Sequence, residues 1–205
     1  MNRTASFGDQ RTTEKSQIQR FKCITRYYGR LHDDLRRKGL LPYRLTQLGA
    51  WASSRPHHVY YFLRRVNLSR YRLFMDLGSG DGIVACLGGL FTRSVGIEID
   101  ADLCGTAAKA SRDLGMEGTV SFICADYRNQ NIWRGDCLYL YPEIPVTHLE
   151  LLLKGWSGTV LIYGSHFPPE TLLPFFRLKC GRETMTAYAV GNGAPPGTDT
   201  IADDV

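Results

Sequence analysis

The chain has 205 residues, 43% hydrophobic and 22% charged, with a formal net charge of +5. That length suits one α/β domain with an appendage and excludes two full domains, and the composition excludes a disordered or fibrous chain. The six cysteines (Cys23, Cys86, Cys104, Cys124, Cys137, Cys180) show neither C-x-x-C nor a histidine at ligand spacing, so no metal site is expected. Several sit inside apolar strand or helix patterns, where a reduced Cys reads as a small hydrophobe, and the set suggests a reducing, cytoplasmic compartment. No apolar run approaches membrane-spanning length, so no membrane insertion is expected. Residues 1–17 lack the apolar stretch of a secretory signal.

Charge is unevenly placed. Residues 1–70 hold 15 Lys and Arg against 4 Asp and Glu, and residues 71–205 hold 10 against 16. The pattern is a basic appendage in front of a mildly acidic core. Residues 1–16, rich in Ser, Thr, Arg and Gln, read as a loose tail. Residues 17–70 read as a basic helical extension. Ile18, Phe21, Ile24, Tyr28, Leu31 and Leu35 recur at helical spacing from Gln17 to Lys38, and Gly39 stops the run. Further helices are expected over Tyr43–Ser53 and His57–Val66. These helices either cover an edge of a sheet or present Arg26, Arg30, Arg36, Arg37, Lys38, Arg64 and Arg65 to nucleic acid or an acidic protein.

From 71 to 190 strands and helices alternate as a doubly wound parallel sheet requires. Strands are expected over Arg72–Asp76, Ser94–Glu98, Thr119–Cys124, Asp136–Tyr141 and Thr159–Tyr163. Helices fall between them over Ile83–Phe91, Ala101–Leu114 and Val146–Lys154, with a short turn over Arg128–Trp133. After Pro168-Pro169 a helix over Glu170–Phe175 leads to a hairpin with arms Phe176–Cys180 and Glu183–Val190. The stretch 191–205 reads as a loose tail.

One segment organises the rest. The apolar run Leu73-Phe74-Met75 meets Asp76, the turn Gly78-Ser79-Gly80-Asp81-Gly82 follows, then a helix, then Val95-Gly96-Ile97 ending on Glu98. Strand, glycine turn, helix, strand and acid is the plan of a nucleotide-binding βαβ unit. Glycines let a ligand approach the main chain, and the free N–H groups of the following helix favour polar or anionic groups. A dinucleotide turn wants Gly or Ala where bulky Ile83 stands, which argues against a nicotinamide or flavin site.

D-x-G-x-G-x-G with Glu98 behind it resembles the first two motifs of class I S-adenosylmethionine-dependent methyltransferases. The resemblance implies a Rossmann-like, seven-stranded sheet with a C-terminal antiparallel hairpin and S-adenosyl-L-methionine as cofactor. It implies that Asp76 and the turn Gly78–Gly82 face the methionine part, that Glu98 holds the ribose, and that Asp126 receives the adenine amino group. Ile99 or Tyr127 would flank the ring. Asp126 is otherwise a helix cap, and Asp81 either caps its helix or meets the cofactor's amino group. At the acceptor end, Leu138-Tyr139-Leu140-Tyr141-Pro142-Glu143 is similar to the L-Y-L-x-P-E stretch of small lysine methyltransferases related to the mitochondrial enzymes that modify ATP synthase subunit c. The N/D-P-P-Y stretch of nucleobase amino methylation is absent.

That resemblance covers roughly 73–190 and departs at Ile83, where the lysine group carries an arginine. It implies a protein substrate, with Tyr141 lining the amine's channel and Glu143 orienting the amine. Methyl transfer needs mainly alignment, and a dry pocket helps a lysine lose its proton. The rival readings are an RNA methyltransferase guided by the basic N-terminal region, a small-molecule acceptor, and a non-catalytic cofactor-binding sensor or partner protein.

Overall fold

Helix α1 (Phe7–Arg37) opens the chain, and the computed structural model describes residues 7–46 and 49–192, with side chains from 14 to 45 and from 51 to 192. The loose ends expected at 1–16 and 191–205 therefore lie outside the described residues at 1–6 and 193–205. Residues 7–16 are instead the opening turns of α1. Glu14 in that stretch pairs with Arg64, and Gln17, just after it, donates from Nε2 to the Leu90 carbonyl at 2.9 Å. Phe21, Ile24 and Tyr28 form the buried stripe of the helix, on the spacing that the sequence shows.

The helix expected over Tyr43–Ser53 is an antiparallel hairpin, β1 (Tyr43–Thr46) and β2 (Gly49–Ala52). Tyr, Thr and Trp fit a pleated strand, and Gly49 would cost a helix interior about 1 kcal/mol. Arg44 lies opposite Trp51 in the register, so both point to the same face. Helix α2 (Pro56–Arg65) begins on proline and buries Val59, Phe62 and Leu63.

The core strands follow: β3 (Leu73–Leu77), β4 (Arg93–Glu98), β5 (Val120–Cys124), β6 (Cys137–Leu140), β7 (Gly158–Tyr163), β8 (Pro174–Cys180) and β9 (Glu183–Val190). They form one sheet of seven strands in the order β5-β4-β3-β6-β7-β9-β8. The first five pair in parallel, and β9 runs antiparallel between β7 and β8. The expected α/β sheet with its terminal hairpin is thus present, together with an N-terminal helix. Between the strands run α3 (Ile83–Gly88), α4 (Ala101–Asp113) and α5 (Thr147–Leu152).

Strand alternation sorts the core into two layers. Phe74, Tyr139, Leu161 and Tyr163 pack with α1, α2 and α3. Met75, Leu77, Leu138, Leu140, Val160 and Ile162 pack on the other face with Leu149 of α5, Leu153 and Trp156. The expected helix over Glu170–Phe175 does not form. Its N–H groups at Glu170 and Thr171 donate to Glu150 at 3.3 and 2.6 Å, and Pro174 starts β8. Among the described residues no helix is long and apolar enough to cross a membrane.

Chain order reverses at the pair β3 and β6: β4 and β5 build outward on one side, β7 on the other. A crevice forms beyond the carboxyl ends of strands at such a point. Asp76 and Leu77 lie there beside Tyr139 and Leu140.

Candidate functional site

The crevice holds an open cleft with about 1140 Å³ of empty space, part of it continuous with solvent. Asp76, Gly78, Ser79, Asp81, Glu98, Ile99, Tyr127, Tyr141 and Glu143 line it. Thus β3, the glycine turn, the end of β4, the loop after β5 and the end of β6 converge on one space. Gly80, Gly82 and Asp126 are not among the lining residues.

The turn is held by its own backbone chemistry. Gly78 and Gly82 adopt φ of 80° and 86°, a region costly for any residue with a Cβ. Both Gly78 N–H and Ser79 N–H donate to the Ile97 carbonyl at 2.9 Å, which ties the elbow to β4. Gly82 sits behind the elbow. A Cβ there would fall 2.6 Å from Ala107 and Phe122, so this glycine serves close packing of α3 on its neighbours.

Glu98 is buried at the rim, 4% exposed. One carboxylate oxygen accepts Gly80 N–H at 2.7 Å and the other accepts Asp100 N–H at 2.9 Å. Each oxygen keeps a lone pair for a ligand hydroxyl. Asp76 is equally buried, and its Oδ2 has no hydrogen-bond partner among the described residues. Burial pushes its carboxyl well above the usual range and the neighbouring Glu98 charge adds to this, while the Ala85 N–H opposes both.

Asp81 does two things at once. Its Oδ1 accepts Ile83 N–H at 3.3 Å, a helix-capping contact. Its Oδ2 lies 2.7 Å from His32 Nε2 of α1, and the Tyr28 hydroxyl donates to the Asp81 carbonyl at 3.0 Å. The N-terminal helix therefore grips the glycine turn directly.

Asp126 takes its helix-capping alternative. It accepts Arg128 N–H at 2.9 Å and both Nε and Nη2 of the Arg128 guanidinium, at 2.6 to 2.9 Å. That guanidinium holds the Asp126 carboxyl below its usual range. Arg128, not Asp126, lines the cleft. Tyr127 lines it too, and burial raises its phenol.

Beyond the end of β6, Tyr141 is half-buried and packs 4.9 Å from the ring of Tyr163. Burial raises its phenol, with the charges of Glu183 and Glu143 acting in the same direction. Glu143 is exposed at the mouth. Sequence reasoning missed four contributors: Trp51, Arg128 and His148, which line the cleft, and His32 behind Asp81. A basic residue two positions after Asp126 was the one available signal for Arg128. Trp51 and His32 arrive from distant elements and leave no local trace.

No family model matches the sequence, and a search of curated proteins returns no match either. Solved structures do match. An RNA methyltransferase from Salinibacter ruber, in complex with S-adenosyl-L-homocysteine, aligns at a TM-score of 0.62 with 23% identity, over 73% of this chain and 100% of that one. The fold is a Rossmann-like methyltransferase fold. A methyltransferase from Geobacter sulfurreducens shares it at a TM-score of 0.56 and 14% identity, over 80% of this chain and 89% of its own. In that methyltransferase-type frame the cleft lies where the chain order reverses, and the carboxylates of Asp76 and Glu98 stand on its rim.

Proposed function

We propose that the chain is a methyltransferase that uses S-adenosyl-L-methionine and acts on a protein amino group, that of lysine. One observation carries the reading: two buried carboxylates, Asp76 and Glu98, meet at the cleft beside a glycine elbow, and one Asp76 oxygen lacks a partner among the described residues. Burial disfavours the ionised form of Asp76, and a cation placed beside its partnerless oxygen would favour that form; this cofactor brings an ammonium and a sulfonium. The S-adenosyl-L-homocysteine complex of the Salinibacter structure supports the same ligand class.

In this reading Asp76 and Asp81 take the amino-acid end, Gly78 and Ser79 lie along it, and Glu98 accepts both ribose hydroxyls. Ile99 and Tyr127 enclose the adenine ring, which Arg128 approaches in the place expected of Asp126. The bound cofactor supplies an electrophilic methyl carbon. The protein's part is alignment and exclusion of water. Tyr141 and Tyr163 wall the acceptor channel, and Glu143 at its mouth draws in and orients the ammonium of the incoming side chain. Residues 71–190 form the methyltransferase unit and 17–70 an extension that completes its cleft. The buried, unpaired thiols of Cys86, Cys104 and Cys137 suit a reducing, cytoplasmic setting.

The second reading, RNA as acceptor, draws on the Salinibacter neighbour, named as an RNA methyltransferase, and on the exposed basic face of α1. Incubation with methyl-tritiated cofactor and fractionated lysate separates them. Label lost to protease and retained after ribonuclease supports the lysine reading; the reverse supports RNA. No labelled product in any fraction, with cofactor binding intact, favours a non-catalytic sensor.

A further inference from the structure

Resting on that reading, we infer that Trp51 of the N-terminal hairpin is a cofactor-contacting residue that covers the methionyl side of the cleft. Its placement is specific. A Cβ built on Gly80 would fall 2.0 Å from the indole Nε1 and 2.2 Å from Cδ1, so the pyrrole edge of Trp51 lies directly against the bare Cα of the elbow. Glycine at this point otherwise opens the main chain to a ligand. Here an aromatic ring from another element shares that opening, and the same ring lines the cleft with Ser54, Asp76 and Glu98.

The hairpin is aimed by an ion pair on the same face. Arg44, opposite Trp51 across the ladder, donates from Nη1 to both Asp100 oxygens at 2.9 and 3.1 Å and lies 3.5 Å from Asp102. Asp100 caps α4 and gives its own N–H to Glu98. One face of the hairpin therefore touches both the glycine elbow and the loop that holds Glu98. Arg44 acts as a positioning residue through its partner Trp51. Indole is the strongest of the aromatic faces for a cation, and the cation expected at this end of the cleft is the sulfonium with its ammonium.

The chain offers its own reporter. It has three tryptophans. Trp133 and Trp156 donate to the carbonyls of Leu152 and Gly135, at 2.8 and 2.9 Å, and neither lines the cleft. Titration of the full chain with S-adenosyl-L-methionine, which carries the sulfonium, should change Trp51 emission, and calorimetry should give the affinity. Trp51→Ala should weaken binding about tenfold, Trp51→Phe should recover part of the loss, and Arg44→Gln should cost about threefold. Thermal melts of each variant check folding, and Arg44→Gln keeps the test open if Trp51→Ala does not fold. Affinity of Trp51→Ala within about twofold of wild type, or a binding-linked emission change that persists in Trp51→Phe, overturns the inference and leaves the methyltransferase reading standing. A wild-type chain that takes up none of the ligand removes both.

Discussion

Asp76 is the residue on which the cleft's electrostatics turn. Its folded-state pKa is raised by burial and by Glu98, so the folded chain holds this proton more tightly than the unfolded one. The sign follows from linkage. Below the unfolded carboxyl's range both states are protonated and Asp76 is neutral to stability. As pH rises past that range the unfolded chain loses the proton first, and the fold is progressively penalised. Asp76→Asn should therefore melt no lower than wild type at neutral pH without ligand, with the difference fading in acid. It should also bind S-adenosyl-L-methionine more weakly, because the cation's partner is gone. Melting curves at several pH values check the first statement and calorimetry the second; an Asn variant less stable across the whole range contradicts the assignment. Asp76 and Glu98 were legible in the sequence because each follows an apolar run and brackets a glycine turn. Asp126 also follows an apolar run, without a glycine turn beside it, and its carboxylate is taken by Arg128; which neighbour wins a carboxylate is a matter of rotamers that spacing does not encode.

At the scale of elements, the N-terminal helices are part of the core. Phe62 of α2 is fully buried and packs in the layer that holds α3 and Tyr163. Phe62→Ala should lower stability by about 3–5 kcal/mol, measured by denaturant unfolding, as cavity-forming aromatic truncations do. A loss below about 1 kcal/mol would mean that α2 is not packed as described. The α2 and α3 helices, and every core strand, were readable from periodicity and caps. The β1–β2 hairpin was not, since its apolar residues fit helical spacing as well as strand spacing over so short a run. The segment after Pro168-Pro169 failed for another reason. Glu150, from a helix twenty residues earlier, takes its N–H groups, a tertiary contact that outweighs local propensity.

For the molecule as a whole, the basic first third changes meaning once folded. Removing residues 1–70 would strip Phe21, Ile24, Tyr28, Phe62 and Leu63 from the core, so truncation cannot separate charge from stability. Arg26 and Arg30 are exposed on α1 and offer a cleaner test. Replacing both by Glu should leave the melting temperature within a few degrees. If RNA is the acceptor, the double variant should also weaken RNA retention and flatten its salt dependence. Unchanged retention removes these two cations from any RNA surface.

The hold of Tyr28 and His32 on Asp81 has an outcome for motion. Both bonds reach across from a helix that precedes the whole sheet, so the hinge of the glycine elbow is splinted from outside. Amide deuterium uptake at residues 78–82 then becomes a gauge of how firmly the first helix is docked. Whatever prises that helix away, from either end, relaxes the glycine turn in the same event.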